Sequence, residues 1–399
     1  MSFEHHRRVH NAAQAARDFP DLFERLVPAL HRGDPAADAA VLALARYAPE
    51  QREAAIESTL DGVGSEGPDE LVRYVEEART PPRWANSTRI NRAGAVFRRG
   101  GVLGGLTLGL CSLVHGYAAP AGNKPLAFSG RLTEKADRRL AETGRFVTAV
   151  TESGGMGAHA AGFRSTLRVR LMHAQVRLLI EKSGRWQTEE WALPINQHDM
   201  LATVLLFSNV FLGGLRQLGF RLTQRELDDY QHLWRYVGWV MGVEPDLLPA
   251  TFAEAERMGA FIHLTQGQPD DDSRALVRAL IHGPQKKAPT AREQKAAEGR
   301  IEFAEGICRG LVGNELADAL RLSRTRHRHW VPVLRKTMGS LEHLRERVPG
   351  LEGRIQQLGS RYWDFTVSQG LRGVPARFAL PQKLSALERR VSADELRPQ

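Results

Sequence analysis

The stretch RSTLRVRLMHAQVRLLIEKS, residues Arg164–Ser183, decides how this chain is read. No proline interrupts it, Gly162 and Gly184 bracket it, and its Leu, Arg, Met and Gln are good helix formers. At helical spacing His173 shares a face with Val169, Arg170, Val176 and Arg177. An imidazole between two branched aliphatics and two guanidinium groups suits the edge of a haem. The ring could take the iron, the aliphatics could pack the macrocycle, and the guanidinium groups could meet propionates. A single histidine on a half-apolar helix is more often a hydrogen-bonded core residue, and the helix alone leaves both readings open. No acid occurs from Arg164 until Glu181, whereas Arg164, Arg168, Arg170 and Arg177 all fall in that span. So dense a basic face needs an anionic partner: acidic side chains, phosphates or propionates.

The 399 residues can bury a sizeable core, and 42% hydrophobic with 25% charged residues is ordinary for a globular chain. A net charge of +9 permits anionic partners without demanding nucleic acid. The basic run RTRHRH at Arg324–His329 is expected to be a solvated face, because no helix-turn-helix pattern or aromatic platform accompanies it, and no nucleic-acid partner is expected. Cys111 and Cys308 are too few for a disulfide framework or zinc cluster and read as buried small apolar residues. The start MSFEHHRRVH lacks an apolar signal core, which leads to the expectation of a cytoplasmic protein. Gly101–Pro120 and Met200–Phe220 are apolar but interrupted by polar residues. They are expected to be buried core helices, leaving no transmembrane span but room for peripheral membrane contact.

Along the chain, residues 1–80 read as a polar N-terminal helical segment, and TPPRW at Thr80–Trp84 breaks the pattern before the main body. Gly101, Gly105 and Gly109 fall four apart, a bare stripe where another helix or a flat cofactor can approach. A helix is expected from a cap at Thr133 to about Glu152, with Arg139, Thr143, Phe146 and Val150 on one face. His198 reads as exposed, and Asp199 as a cap or an orienting group. Thr223 with Glu226 makes a capping box, and Asp270 caps another helix. Helices are expected over Ile301–Arg321 and Trp330–Arg347, and the tail, residues 376–399, as weakly ordered. Sustained alternation and hairpin turns are nearly absent, so the fold class is all-α, a large single helical domain over residues 81–375.

Seven landmarks occur in a common order: PPRW at Pro81–Trp84, SGRL at Ser129–Leu132, Arg139–x3–Thr143, RVRLMHAQVR at Arg168–Arg177, PINQ-x-DM at Pro194–Met200, WRYVGWVMGV at Trp234–Val243 and LLP at Leu247–Pro249. Together they resemble the MpaB and latex clearing protein family of haem-dependent oxygenases, over roughly residues 81–258. The resemblance implies a globin-like all-α core enclosing haem b, with His173 as the iron ligand and Arg139 and Thr143 beside the haem as catalytic and cofactor-binding residues. Helix geometry adds Arg170 and Arg177 as propionate partners. The implied chemistry is activation of dioxygen, with oxidative cleavage or oxygenation of an unsaturated, isoprenoid-like substrate. Met200–Leu212 supplies candidates for an apolar pocket wall.

Two departures bear on the substrate. Glu142 stands where the rubber-cleaving members carry lysine, and AGNKP at Ala121–Pro125 has no carboxylate where those members place a glutamate base. A small hydrophobic molecule is therefore expected rather than a polymer. A non-catalytic protein of the same fold, holding haem or a hydrophobic ligand, is the alternative.

Overall fold

The structure is a computed structural model. It describes residues 7–62, 67–129, 131–283, 288–371, 376, 378 and 380–383; for 129, 131–137 and 139 it describes the backbone alone. Among the described residues there is no strand, and the chain is an all-α assembly. Its principal helices are α1 (Pro35–Leu44), α2 (Asp69–Arg79), α3 (Ser87–Ala118), α4 (Arg131–Thr151), α5 (Ala161–Lys182) and α6 (Gln197–Gln217). They continue with α7 (Gln224–Val240), α8 (Phe252–Thr265), α9 (Asp271–His282), α10 (Ala291–Val312), α11 (Trp330–Arg347) and α12 (Leu351–Leu371). Short helices such as Lys124–Ser129 and Thr188–Trp191 fill stretches that sequence reading left as connections.

Local chemistry sets many of the helix ends. Thr223 and Glu226 make the reciprocal capping box that starts α7. Asp270 accepts from the Ser273 amide at 2.8 Å to start α9. A second box, Thr290 with Glu293, starts α10 inside a stretch whose sequence is charged enough to pass for a loop.

The centre of the molecule is aromatic. Trp234 of α7, 1% exposed, stacks on Phe207 at 5.0 Å between ring centroids, with Phe146 of α4 at 6.4 Å. Phe97 of α3 stacks on Trp363 of α12 at 4.3 Å. Helices α3 and α6 are each long and apolar enough to cross a membrane, yet more than half of each is buried in the fold. Each contains one wide π turn, Leu108–Ser112 and Leu206–Val210. Cys111 and Cys308 are both buried.

The glycine stripe is not one continuous helical row. Gly101 adopts φ +46°, a kink in α3, and a β-carbon there would lie 3.5 Å from the Gly359 Cα. A β-carbon on Gly359 would overlap the Arg98 carbonyl at 1.7 Å. Two glycines thus let α3 and α12 cross backbone to backbone.

The arginine face of α5 finds its anions in the N-terminal segment. Arg164 pairs with Glu57 and Asp61, Arg168 with Glu53 and Glu57, Arg170 with Asp34, and Arg177 with Asp38. Asp34, 4% exposed, also caps α1 and takes the Arg170 fork through contacts of 2.6 and 2.8 Å. Asp34→Asn keeps the cap oxygen but strands a nearly buried guanidinium. It should cost about 3 kcal/mol of stability by urea unfolding, with partial recovery when Arg170→Gln is added.

The Thr80–Trp84 turn is anchored by Trp84, whose ring meets His232 edge-on at 5.8 Å and carries Arg235 over its face at 4.2 Å. The Asn86 amide donates to His232 Nε2 at 3.1 Å, which requires a neutral ring. Burial, helped by the charges of Arg89 and Arg235, pushes His232 down to about 4 from its ordinary 6.5. Between those values the unfolded chain takes up a proton that the folded one refuses. Stability should therefore be full above pH 6.5 and decline toward pH 4. Urea midpoints at pH 7 and pH 5 should differ less in His232→Gln than in the parent protein.

Candidate functional site

The site is built around α4 and α5, which pack against each other. His173 lies at the middle of α5, half-buried, with its Nδ1 atom sealed from water. Leu167, Leu171 and Ala174 press the other side of α5 into the core. Thr143 is half-buried on α4. The Arg139 side chain lies outside the described residues, as does that of Thr133, the expected cap. Glu142 is held by Arg138 on its own helix, Nε to Oε1 at 3.0 Å.

Beside α4 is a cavity of about 750 Å³, within the size range of pockets that take cofactors and drug-sized ligands. Its walls are mostly aliphatic and aromatic: Leu108 and Leu110 of α3, Leu140 of α4, Phe303 of α10 and Trp363 of α12. Thr143, Tyr362, Thr366 and Arg300 supply the polar groups, and no carboxylate lines it. Its mouth lies between α10 and α12, where Ala296, Gly299, Arg300 and Thr366 are exposed. Gly105 and Gly109 line it too. A β-carbon on Gly105 would press on the Tyr362 hydroxyl at 2.2 Å, whereas one on Gly109 would meet nothing within 4 Å.

Four sequence expectations change here. Arg170 and Arg177 are not open to propionates. Arg170 is locked to Asp34, and Arg177, 2% exposed, is held by Asp38 and by the carbonyls of Pro194 and Ile195 at 3.2 and 3.0 Å. Their charges are already neutralised by neighbours remote in sequence. The Met200–Leu212 run does not wall the large cavity; Leu201, Leu205, Phe211 and Leu212 are buried in the core. His173 is not among the residues that line that cavity, although Thr143 is. Thr143 stands on the cavity side of α4, and His173 belongs to the neighbouring helix.

His198 is buried rather than exposed, because Asp199 and the chain near Arg8 close over it. His198 Nδ1 lies 3.4 Å from Asp199 Oδ1, and Arg8 grips the same carboxylate. Burial opposes the charged form of Asp199, but Arg8 and His198 outweigh it and hold the carboxyl far below the usual range. These residues line a smaller, polar cavity of about 280 Å³ with His10, Lys124 and Trp191. Sequence reading missed Arg8, which is separated from Asp199 by 191 positions; Asp199 itself was seen as an orienting group.

Residues 94–343 match the family described as ER-bound oxygenase mpaB/B'/Rubber oxygenase, catalytic domain. The chain belongs to this family. The rubber oxygenase of Streptomyces sp. (strain K30) is 25% identical over 249 residues, 62% of this chain. That stretch spans 57% of the relative's own length. The solved structure of latex clearing protein LCP in the closed state superposes with a TM-score of 0.64, covering 84% of this chain and 91% of that one. At 19% identity this last likeness concerns the fold alone. An oxygenase family and an all-α architecture thus meet in one chain.

The open space at Gly109 gives a direct test of the large cavity. Gly109→Leu should place its side chain in the void and weaken binding of a fluorescent apolar probe roughly tenfold, with little change in melting temperature.

Proposed function

We propose that this protein is a haem b-dependent oxygenase that activates dioxygen to cleave or oxygenate a small unsaturated hydrophobic molecule of isoprenoid type. The observation that carries the reading is the placing of His173 and Thr143 on packed helices, with Thr143 facing an apolar cavity, in a chain of an oxygenase family. The donor set agrees with haem at one point and disagrees at another. A half-buried imidazole in the middle of a rigid helix suits an axial ligand to iron. The two arginines suited to propionates by helix geometry are already engaged by Asp34 and Asp38.

His173 would hold the iron, and Arg139 and Thr143 would adjoin the haem from α4. Haem b supplies an iron centre at which dioxygen is activated. The chain's own residues bind and orient the substrate. The aliphatic and aromatic cavity walls take up a hydrocarbon at about 25 cal/mol per Å² of apolar surface buried. They also exclude water. The Thr143 hydroxyl offers a hydrogen bond at the cavity wall. Dioxygen and this hydrophobic substrate are the proposed partners, and a cytoplasmic location is proposed with them.

The absence of a carboxylate from the cavity lining favours a second reading, a helical protein that binds haem or an apolar ligand without turnover. An ultraviolet-visible spectrum and oxygen uptake separate the two. The purified protein should show a Soret band that disappears in His173→Ala and persists in Arg170→Gln, since Arg170 serves Asp34. Oxygen consumption with candidate alkenes marks the oxygenase; a Soret band without uptake leaves the binding protein. A protein that takes up no haem on reconstitution overturns the haem assignment.

A further inference from the structure

The hairpin of α11 and α12 carries an outward face that the oxygenase reading does not use. Of the nine large apolar side chains most exposed among the described residues, seven lie on it: Trp330, Val333, Leu341, Leu344 and Val348, then Leu358 and Phe365. The first five are spaced three, eight, three and four apart; with Thr337 between Val333 and Leu341 they form one stripe along α11. The helix is not loose. Its other face is fixed by Val331 and by Glu342, 1% exposed, which accepts from the Arg221 amide at 3.1 Å.

Charge lies beside the stripe. Between Arg321 and Val348 the chain has eight Lys or Arg and two Glu, a surplus of six of the chain's nine positive charges. One of those glutamates, Glu342, is buried and bound to Arg345. Arg326, Arg335, Lys336 and Arg347 are exposed, and no ion pair among the described residues engages them. On α11, Lys336 and Arg347 follow one edge of the apolar stripe.

We infer that the exposed face of α11, with the outward side of α12, docks this protein onto an anionic lipid surface. An apolar stripe bordered by unpaired cations matches an interface that offers hydrocarbon below and negative headgroups above. A second protein chain would require acidic side chains opposite this basic border, and this chain's own surplus is positive. The same α12 contributes Tyr362, Trp363 and Thr366 to the large cavity, and the cavity mouth lies between α10 and α12. A docked molecule would receive an apolar substrate from the bilayer with little exposure to water. The docking surface stands independently of the haem assignment.

Flotation of the full chain with phosphatidylcholine vesicles, with and without phosphatidylglycerol, tests the inference. The protein should float with the anionic vesicles, far less with neutral ones, and be released by salt. Leu341→Glu with Leu344→Glu, and separately Lys336→Glu with Arg347→Glu, should each cut partitioning roughly tenfold or more. All four positions are exposed, so both variants should keep the parent melting temperature, and their Soret bands on reconstitution should match the parent's. Three results overturn the inference: no flotation of the parent protein, undiminished flotation of both variants, or a solution dimer dispersed by the leucine variant. The last would assign the stripe to a second copy.

Discussion

The seam of arginine and carboxylate between α5 and the N-terminal segment is the interaction on which this structure depends. Four guanidinium groups on one helix could not be enclosed without anions, and acids from residues 34–61 supply them. The pairs at Asp34 and Asp38 lie deepest, where an uncompensated charge is most costly. The first eighty residues are therefore part of the body that presents His173. Tyr74 adds to this by donating its hydroxyl to the Leu167 carbonyl of α5 at 2.8 Å while lying beneath the Arg170 guanidinium.

What could be read in advance was local. Thr223 with Glu226, Asp270, and the limits Trp330–Arg347 are signals contained within a turn or two, and each element is where those signals put it. The all-α class follows from the same periodicities. What could not be read was pairing at a distance. The need for anions opposite Arg170 was visible, but choosing Asp34 over a propionate depends on a fold that brings together positions 136 residues apart. His198 was misjudged for the same reason, since its cover comes from the opposite end of the sequence.

For the site, the legible part was chemical identity and the hidden part was side. Periodicity gathers Arg139, Thr143, Phe146 and Val150 on one face of α4. The structure divides that helix between two environments: Phe146 faces the Trp234 cluster, while Thr143 joins Leu140 and Gly144 at the cavity. The helix is a partition, and the side from which a group is approached decides its chemistry. This is also why the apolar run after Met200 became core rather than cavity wall.

The π turn at Leu108–Ser112 has a consequence for how α3 tolerates change in length. A wider turn is geometrically an α-helix that has absorbed a surplus residue. Deleting one residue there would restore a regular spiral, but everything beyond would rotate by about 100°. Val114 and Tyr117, now buried, would swing away from their packing partners while His115 changed side. The irregularity thus fixes the phase between the two halves of the longest apolar helix, and an alignment of relatives by helical period alone would slip at this point.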